Sequence, residues 1–154
     1  MITILTPTFN RAHLLPRLFE SLTHQTDFNF EWLVMDDGST DGTSDLFAGN
    51  TFLSAPFSIR YYRQENGGKH RALNVGVKQA KGDFIFIADS DDWLLPQSVA
   101  IVGLHTSAIA DDNTFAGVAG LDVFDDERIV GTGLPQDIIA VSYTHLTLPT
   151  TPYV

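Results

Sequence analysis

Not one of the 154 residues is cysteine, which excludes disulfides and thiolate-held zinc and suits a reducing compartment. Basic residues are scarce as well: nine Lys and Arg against 19 Asp and Glu leave a formal net charge of -10. A chain this acidic offers no broad electrostatic footprint to nucleic acid or anionic lipid, so an anionic ligand needs local positive charge. No apolar run is long enough to span a bilayer, and "MITILTPTFN" lacks a basic n-region. Neither a transmembrane segment nor a signal peptide is expected, and the location that follows is cytoplasmic, with membrane association left to a longer protein.

What is present is globular in character. Hydrophobic residues make up 44% and the mean hydropathy is +0.02, so the chain is expected to fold in water. Its length suits a single compact unit. Short β-branched or aromatic runs alternate with helix-like stretches, the pattern of a parallel sheet covered by helices. The strands read as Ile2 to Thr6, Phe30 to Met35, Ser58 to Arg63 and Phe84 to Ala88, with helices near Pro16 to His24, Thr43 to Phe47, Lys69 to Ala80 and Pro96 to Ala108. Pro16 suits a first helical turn, and Gly82 reads as the stop of the third helix. "FAGVAGLDVFDDERIVGTG" reads as a hairpin turning at Asp125 to Glu127. Periodicity is lost after Ala140. Val141 to Thr150 resemble the translated read-through of a sequencing adapter, so residues 141–154 are expected to be a non-native tail behind a domain at 1–140.

Polar loops follow each strand: "TPTFN", "DDGSTD", "RQENGGKHR" and "DSDD". Ligands of open α/β sheets collect beyond the carboxyl ends of the strands, so these four loops are expected to build one site. The last is the most demanding. "FIFIADSDDWLLP" opens as a buried strand and then sets Asp89, Asp91 and Asp92 within four positions. Carboxylates two apart on an extended chain lie about 6.6 Å from one another on one face. They repel by roughly 0.6 kcal/mol in water and about 2.5 kcal/mol at an effective dielectric of 20. A hard divalent cation, Mn²⁺ or Mg²⁺, turns that repulsion into a binding site and supplies the positive charge a diphosphate needs.

"TPTFNR", "VMDDGSTDGT" and "ENGGKHRALNVGVKQAKGDFIFIADSDDW" together resemble the family 2 inverting glycosyltransferases, in order and spacing, from about Ile2 to Asp92. The resemblance implies a GT-A fold: a Rossmann-like, mostly parallel α/β sheet with helices on both faces, here cut short at its C-terminal end. It implies transfer of a sugar from a nucleoside diphosphate sugar to a carbohydrate or lipid-linked acceptor, in the manner of cell-envelope polysaccharide assembly. Pro7 and Phe9 would line the base pocket. Asp37 would accept the imide N–H of uracil or thymine, favouring UDP or dTDP sugars over cytidine ones. In the Asp89, Ser90, Asp91 stretch, which looks like the family's DxD motif, Asp91 would be the metal ligand and Asp89 would face the ribose or metal-bound water. In this family the acceptor-side base lies beyond Ala140, so the chain is expected to be a donor-binding fragment.

Several residues carry two readings. Lys69 and Arg71 either reach the pyrophosphate or are solvated charges, Asp92 either caps a turn or joins the metal, and Trp93 either walls a sugar pocket or closes the core. Asn74 and Gly76 match family positions but also suit close helix packing. His13, His24, His70 and His105 show no ligand spacing and suit surface or capping positions. Two other functions compete: a haloacid-dehalogenase-type phosphohydrolase, whose DxDxT pattern is broken by Trp93, and a non-catalytic nucleotide-binding module. Dinucleotide and P-loop fingerprints are absent, since "GTGLPQ" and "NGGKH" lack required glycines.

Overall fold

The computed structural model describes residues 1–49, 51–52, 54–112, 118 and 128. Among these described residues, four strands, β1 (Ile2–Thr8), β2 (Phe30–Asp36), β3 (Ser58–Arg63) and β4 (Phe84–Ile87), alternate with four helices, α1 (Leu15–Thr23), α2 (Thr43–Ala48), α3 (Lys69–Gln79) and α4 (Ser98–Ile109). Every pairing is parallel, in the order β3-β2-β1-β4. The chain divides into two units. The sheet, its cores and all the site residues belong to the unit containing Met1–Gly103, and Leu104 opens the other. The hairpin expected at Asp125 to Glu127, the boundary at Ala140 and the tail at 141–154 lie outside the described residues.

Residue parity decides which helix each strand residue meets, because successive side chains point to opposite faces. Even positions Ile4, Trp32 and Val34 pack under Leu15, Leu18 and Leu22, the apolar stripe of α1. Odd positions Leu5, Leu33 and Met35 pack under Ala72 and Leu73 of α3. Helices therefore cover both faces, and β1 and β2 are buried along their whole lengths. Burying each of these leucines contributes about 2 kcal/mol. Trp32 completes the first face by donating its indole N–H to Thr6 Oγ1 at 3.0 Å.

Three expectations need correction. The first strand runs on through Pro7 and Thr8. Leu5 turns its carbonyl to Ala88 and Thr8 turns its own to Asp37, so Pro7 faces the β4 side, where pairing has already ended at Leu5↔Ile87. The missing proline donor is not needed there. Second, β4 is only four residues long and, among the described residues, stands at the end of the sheet; Ile85 and Ile87 are 37% and 49% exposed, because α3 packs on β1 and β2. Third, Gly82 does not end α3. Ala80 already leaves the helix with ψ 140, and a Cβ on Gly82 would stand 2.5 Å from the Thr3 amide nitrogen. Glycine is needed there for backbone contact with β1. Gly76 is likewise a packing residue, since its Cβ would lie 2.5 Å from Leu5 Cδ1.

Candidate functional site

The chain leaves β1 for β2 and β3 on one side and returns to β4 on the other, so β1 and β4 diverge at their carboxyl ends. A cavity of about 540 Å³ lies at that divergence. The end of β1 and its loop supply Pro7, Thr8, Phe9 and Arg11, and the β2 loop supplies Asp37. Asn66, Gly68, Lys69 and Ala72 come from the start of α3 and the loop before it, and Asp89, Ser90 and Asp91 from the β4 loop. All four polar loops singled out in the sequence thus border one site.

The two loops nearest β1 are stapled together. Asn10, held at φ 53, receives the Thr40 amide on Oδ1 at 2.8 Å and gives its own amide to Ser39 Oγ at 2.9 Å. Asp41 accepts from the Ala12 amide at 2.8 Å and the Thr43 hydroxyl at 2.6 Å. Burial works against its charge, but these donors, Thr43 first, hold its pKa below the ordinary value. Beneath them Asp36 is fully buried and accepts the Ser39 amide at 2.8 Å and the Tyr61 hydroxyl. Burial, then the contact with Asp36, pushes the Tyr61 phenol far up, so it remains a donor.

Asp37 is buried and lines the cavity, and its oxygens are engaged by a neighbouring loop. Oδ1 accepts from Gln64 Nε2 at 2.7 Å and the Gly67 amide at 3.0 Å, and Oδ2 from the amides of Gly67 at 3.1 Å and Gly68 at 2.6 Å. In this arrangement Asp37 holds the "NGG" loop in place. Glycine is needed at both ends of the contact: Gly68 has φ +92, and Gly38 has φ +84 with its Cβ position 3.0 Å from the Asn66 amide.

At the acidic end, Asp89 Oδ2 pairs with Lys69 Nζ at 2.5 Å and Asp91 Oδ2 with Arg11 Nη1 at 3.3 Å. Asp89 Oδ1 and Thr8 Oγ1 are buried without a hydrogen-bond partner. Among the described residues no three Asp, Glu or His side chains form a ready-made cage. Two carboxylates with one orphaned oxygen fit a hard divalent ion that takes its remaining ligands from water and phosphate.

Phe9 lines the cavity and is 45% exposed. Ser90 is buried at the rim. Arg71 does not line the cavity, and its Cδ lies 2.6 Å from where a Cβ on Gly67 would stand. Asp92 is also off the cavity, and its amide closes the "DSDD" turn onto the Asp89 carbonyl at 3.1 Å. Trp93 neither walls the cavity nor sits deep in the core. It is half-buried under the Arg17 guanidinium, 3.4 Å from the ring centroid. His24 caps α1 by donating to the Glu20 carbonyl at 2.7 Å, as its position suggested. Arg11, Thr8 and Asn66 were not singled out in the sequence. The signal available for Arg11 was a rare cation in a loop that the strand pattern already placed at the site.

A family model for Glycosyl transferase family 2 matches residues 3–118. An uncharacterized glycosyltransferase of Rickettsia felis is 36% identical over 100 residues, covering 65% of this chain and 16% of that protein. Glycosyltransferase GlyG of Streptococcus pneumoniae is 37% identical over 93 residues, covering 60% and 30%. This chain therefore spans between a sixth and a third of the length of these curated relatives. Among solved structures, S. aureus TarS 1-349 in complex with UDP-GlcNAc superposes with a TM-score of 0.68 at 25% identity, covering 88% of this chain and 37% of that one. The mannosyltransferase PcManGT of Pyrobaculum calidifontis, in complex with GDP-Man and Mn²⁺, shares the fold with a TM-score of 0.62 at 24% identity, covering 72% and 32%. The GT-A fold expected from the sequence is thus borne out. The dehalogenase alternative also falls away, since the acidic loop ends the fourth strand of a sheet matched along its length by this family. With the ordered motifs on one sheet edge and the match running through all four strands, the chain belongs to Glycosyl transferase family 2.

Proposed function

We propose that this chain forms the donor-binding part of a metal-dependent inverting glycosyltransferase that moves a sugar from UDP or dTDP to the hydroxyl of a carbohydrate or lipid-linked acceptor. The carrying observation is the cavity at the β1/β4 divergence, where an exposed aromatic side chain, two carboxylates and two cationic side chains meet. The complex of TarS with UDP-GlcNAc supports a uridine donor in a site of this fold.

Phe9 stacks on the base above Pro7, a contact that needs only a flat apolar face. Asp37 holds the Gly67–Gly68 loop and, when Gln64 turns aside, accepts the imide N–H that uracil and thymine carry and cytosine lacks. Lys69 and the α3 N-terminus draw the diphosphate toward the sheet edge. Asp91, with Asp89 beside it, holds Mn²⁺ or Mg²⁺, which when bound supplies charge stabilisation to the departing diphosphate. Asp89 and Ser90 face the ribose side. Arg71 serves the diphosphate only by swinging off Gly67.

Calorimetry with UDP, dTDP, GDP and NAD, each with and without Mn²⁺, tests this. The expected result is uridine or thymidine diphosphate binding that tightens at least about tenfold with the ion, and loss of that dependence in Asp91→Ala. Metal-independent binding of NAD, or equal binding of all four, overturns the proposal.

A further inference from the structure

We infer that Arg11 and Lys69 are internal counter-ions to the acidic pair, that a divalent ion has to displace Arg11 from Asp91, and that the displaced guanidinium then binds the donor's diphosphate. This rests on the donor-site reading and adds a residue and an order of events to it.

The argument begins with charge. In a chain of formal charge -10, two of the three carboxylates in one short loop, Asp89 and Asp91, each have a cation of their own. The cations come from different elements, Arg11 from the loop after β1 and Lys69 from the first position of α3. Neither pair is locked. Side-chain exposures are 45% and 53% for Arg11 and Asp91, and 57% and 36% for Lys69 and Asp89. Exposed pairs of this kind are weak and exchange readily. Each cation engages only the Oδ2 oxygen of its partner, and Asp89 Oδ1 is left buried and unpaired. The Asp89–Asp91 pair is therefore neutralised without being satisfied.

A divalent ion reaching Asp91 meets the guanidinium already there. Two cations on one carboxylate repel, so ion binding is an exchange and Arg11 must leave. Its side chain lines the same cavity as Lys69 and Phe9. Beside the ion in that cavity lies the diphosphate, the anion whose geometry a guanidinium fork matches with paired hydrogen bonds. Each partner then prepares the site for the other, and by linkage the ion raises diphosphate affinity by the same factor that the diphosphate raises ion affinity.

The experiment compares the 154-residue chain with Arg11→Gln and Arg11→Lys in two titrations. Mn²⁺ alone is followed through the spectrum of the unbound ion, and UDP is titrated by calorimetry at saturating Mn²⁺. Removing the competitor is expected to tighten Mn²⁺ binding about fivefold in Arg11→Gln. The same variant is expected to bind UDP about tenfold more weakly. Arg11→Lys keeps the charge without the fork, so its Mn²⁺ affinity should match the parent while UDP affinity falls. The opposite signs are diagnostic, because a damaged site weakens both ligands. If the parent binds Mn²⁺ and UDP together but Arg11→Gln leaves Mn²⁺ affinity unchanged or lower, this inference is overturned and the donor-site reading stands. If the parent binds neither, both fall.

Discussion

Glu31 at the amino end of the sheet and the Asp89–Asp91 pair at its carboxyl end use carboxylates in opposite ways. At the amino end, Glu31 of β2 is 2% exposed and every donor around it is committed. Oε1 accepts from the Thr3 hydroxyl at 2.8 Å and the Lys81 amide at 2.7 Å, while Arg60 Nη1 reaches Oε2 at 3.1 Å and the Gln79 carbonyl at 2.7 Å. This network ties the C-terminal end of α3 to three strands. At the carboxyl end, Asp89 and Asp91 hold single exposed cations, and one oxygen has no partner. A closed, dry, fully satisfied carboxylate fixes the fold. An open, half-satisfied one is available to exchange partners. Acidity alone therefore does not mark a site. The number of lone pairs left unfilled, and the exposure of the partners, separate the two cases.

Breaking the closed network should cost most. Arg60→Met leaves Glu31 buried without its counter-ion and should destabilise the fold by about 3 kcal/mol in urea unfolding, with UDP affinity at saturating Mn²⁺ unchanged. A large loss of UDP affinity would mean that the two ends are not independent. Next comes Asp37→Ala, which strips three donors of their acceptor. It should cost about 2 kcal/mol and also weaken UDP, because the loop it holds borders the cavity. An effect on stability alone would remove Asp37 from the proposed base pocket.

The same contrast appears in acid. Burial opposes the charge on Glu31, but the Lys81 amide, Thr3 and Arg60 outweigh it and hold its pKa below the ordinary 4.5. A carboxylate lowered on folding contributes stability that is fully present above its unfolded pKa and is lost as pH falls through the folded one. Unfolding free energy should therefore decline below about pH 4.5, and Glu31→Gln should flatten that limb. An unchanged slope in the variant would assign acid sensitivity elsewhere. The smallest effect is expected at the open end. Lys69→Met and Asp89→Asn should each shift stability by less than about 1 kcal/mol, since exposed pairs contribute little. A cost as large as that of Arg60→Met would show these pairs to be structural after all.

Much of this is legible in the sequence alone. Strand and helix positions lie within a few residues of the expectation, because β1 and β2 read as short β-branched or aromatic runs and Leu15, Leu18 and Leu22 recur at helical spacing. The site edge follows from the polar loops after each strand, since parallel strands bring their carboxyl ends to one edge. What escaped was side-chain pairing across distant segments. Arg11 and Asp91 stand 80 residues apart, and no local pattern brings them together. Asp37 looked like a base reader from its motif, whereas its engagement by Gln64, Gly67 and Gly68 depends on how the β3–α3 loop folds back. Gly82 resembled a helix stop because closeness to Thr3 is invisible in one dimension.

The most direct test is crystallographic. Crystals of this chain grown with UDP and Mn²⁺, measured at the manganese absorption edge, should show one anomalous peak roughly 2 Å from an Asp91 oxygen and in contact with both phosphates. A peak elsewhere, or UDP bound away from the β1/β4 divergence with Asp91 still held by Arg11, would contradict it.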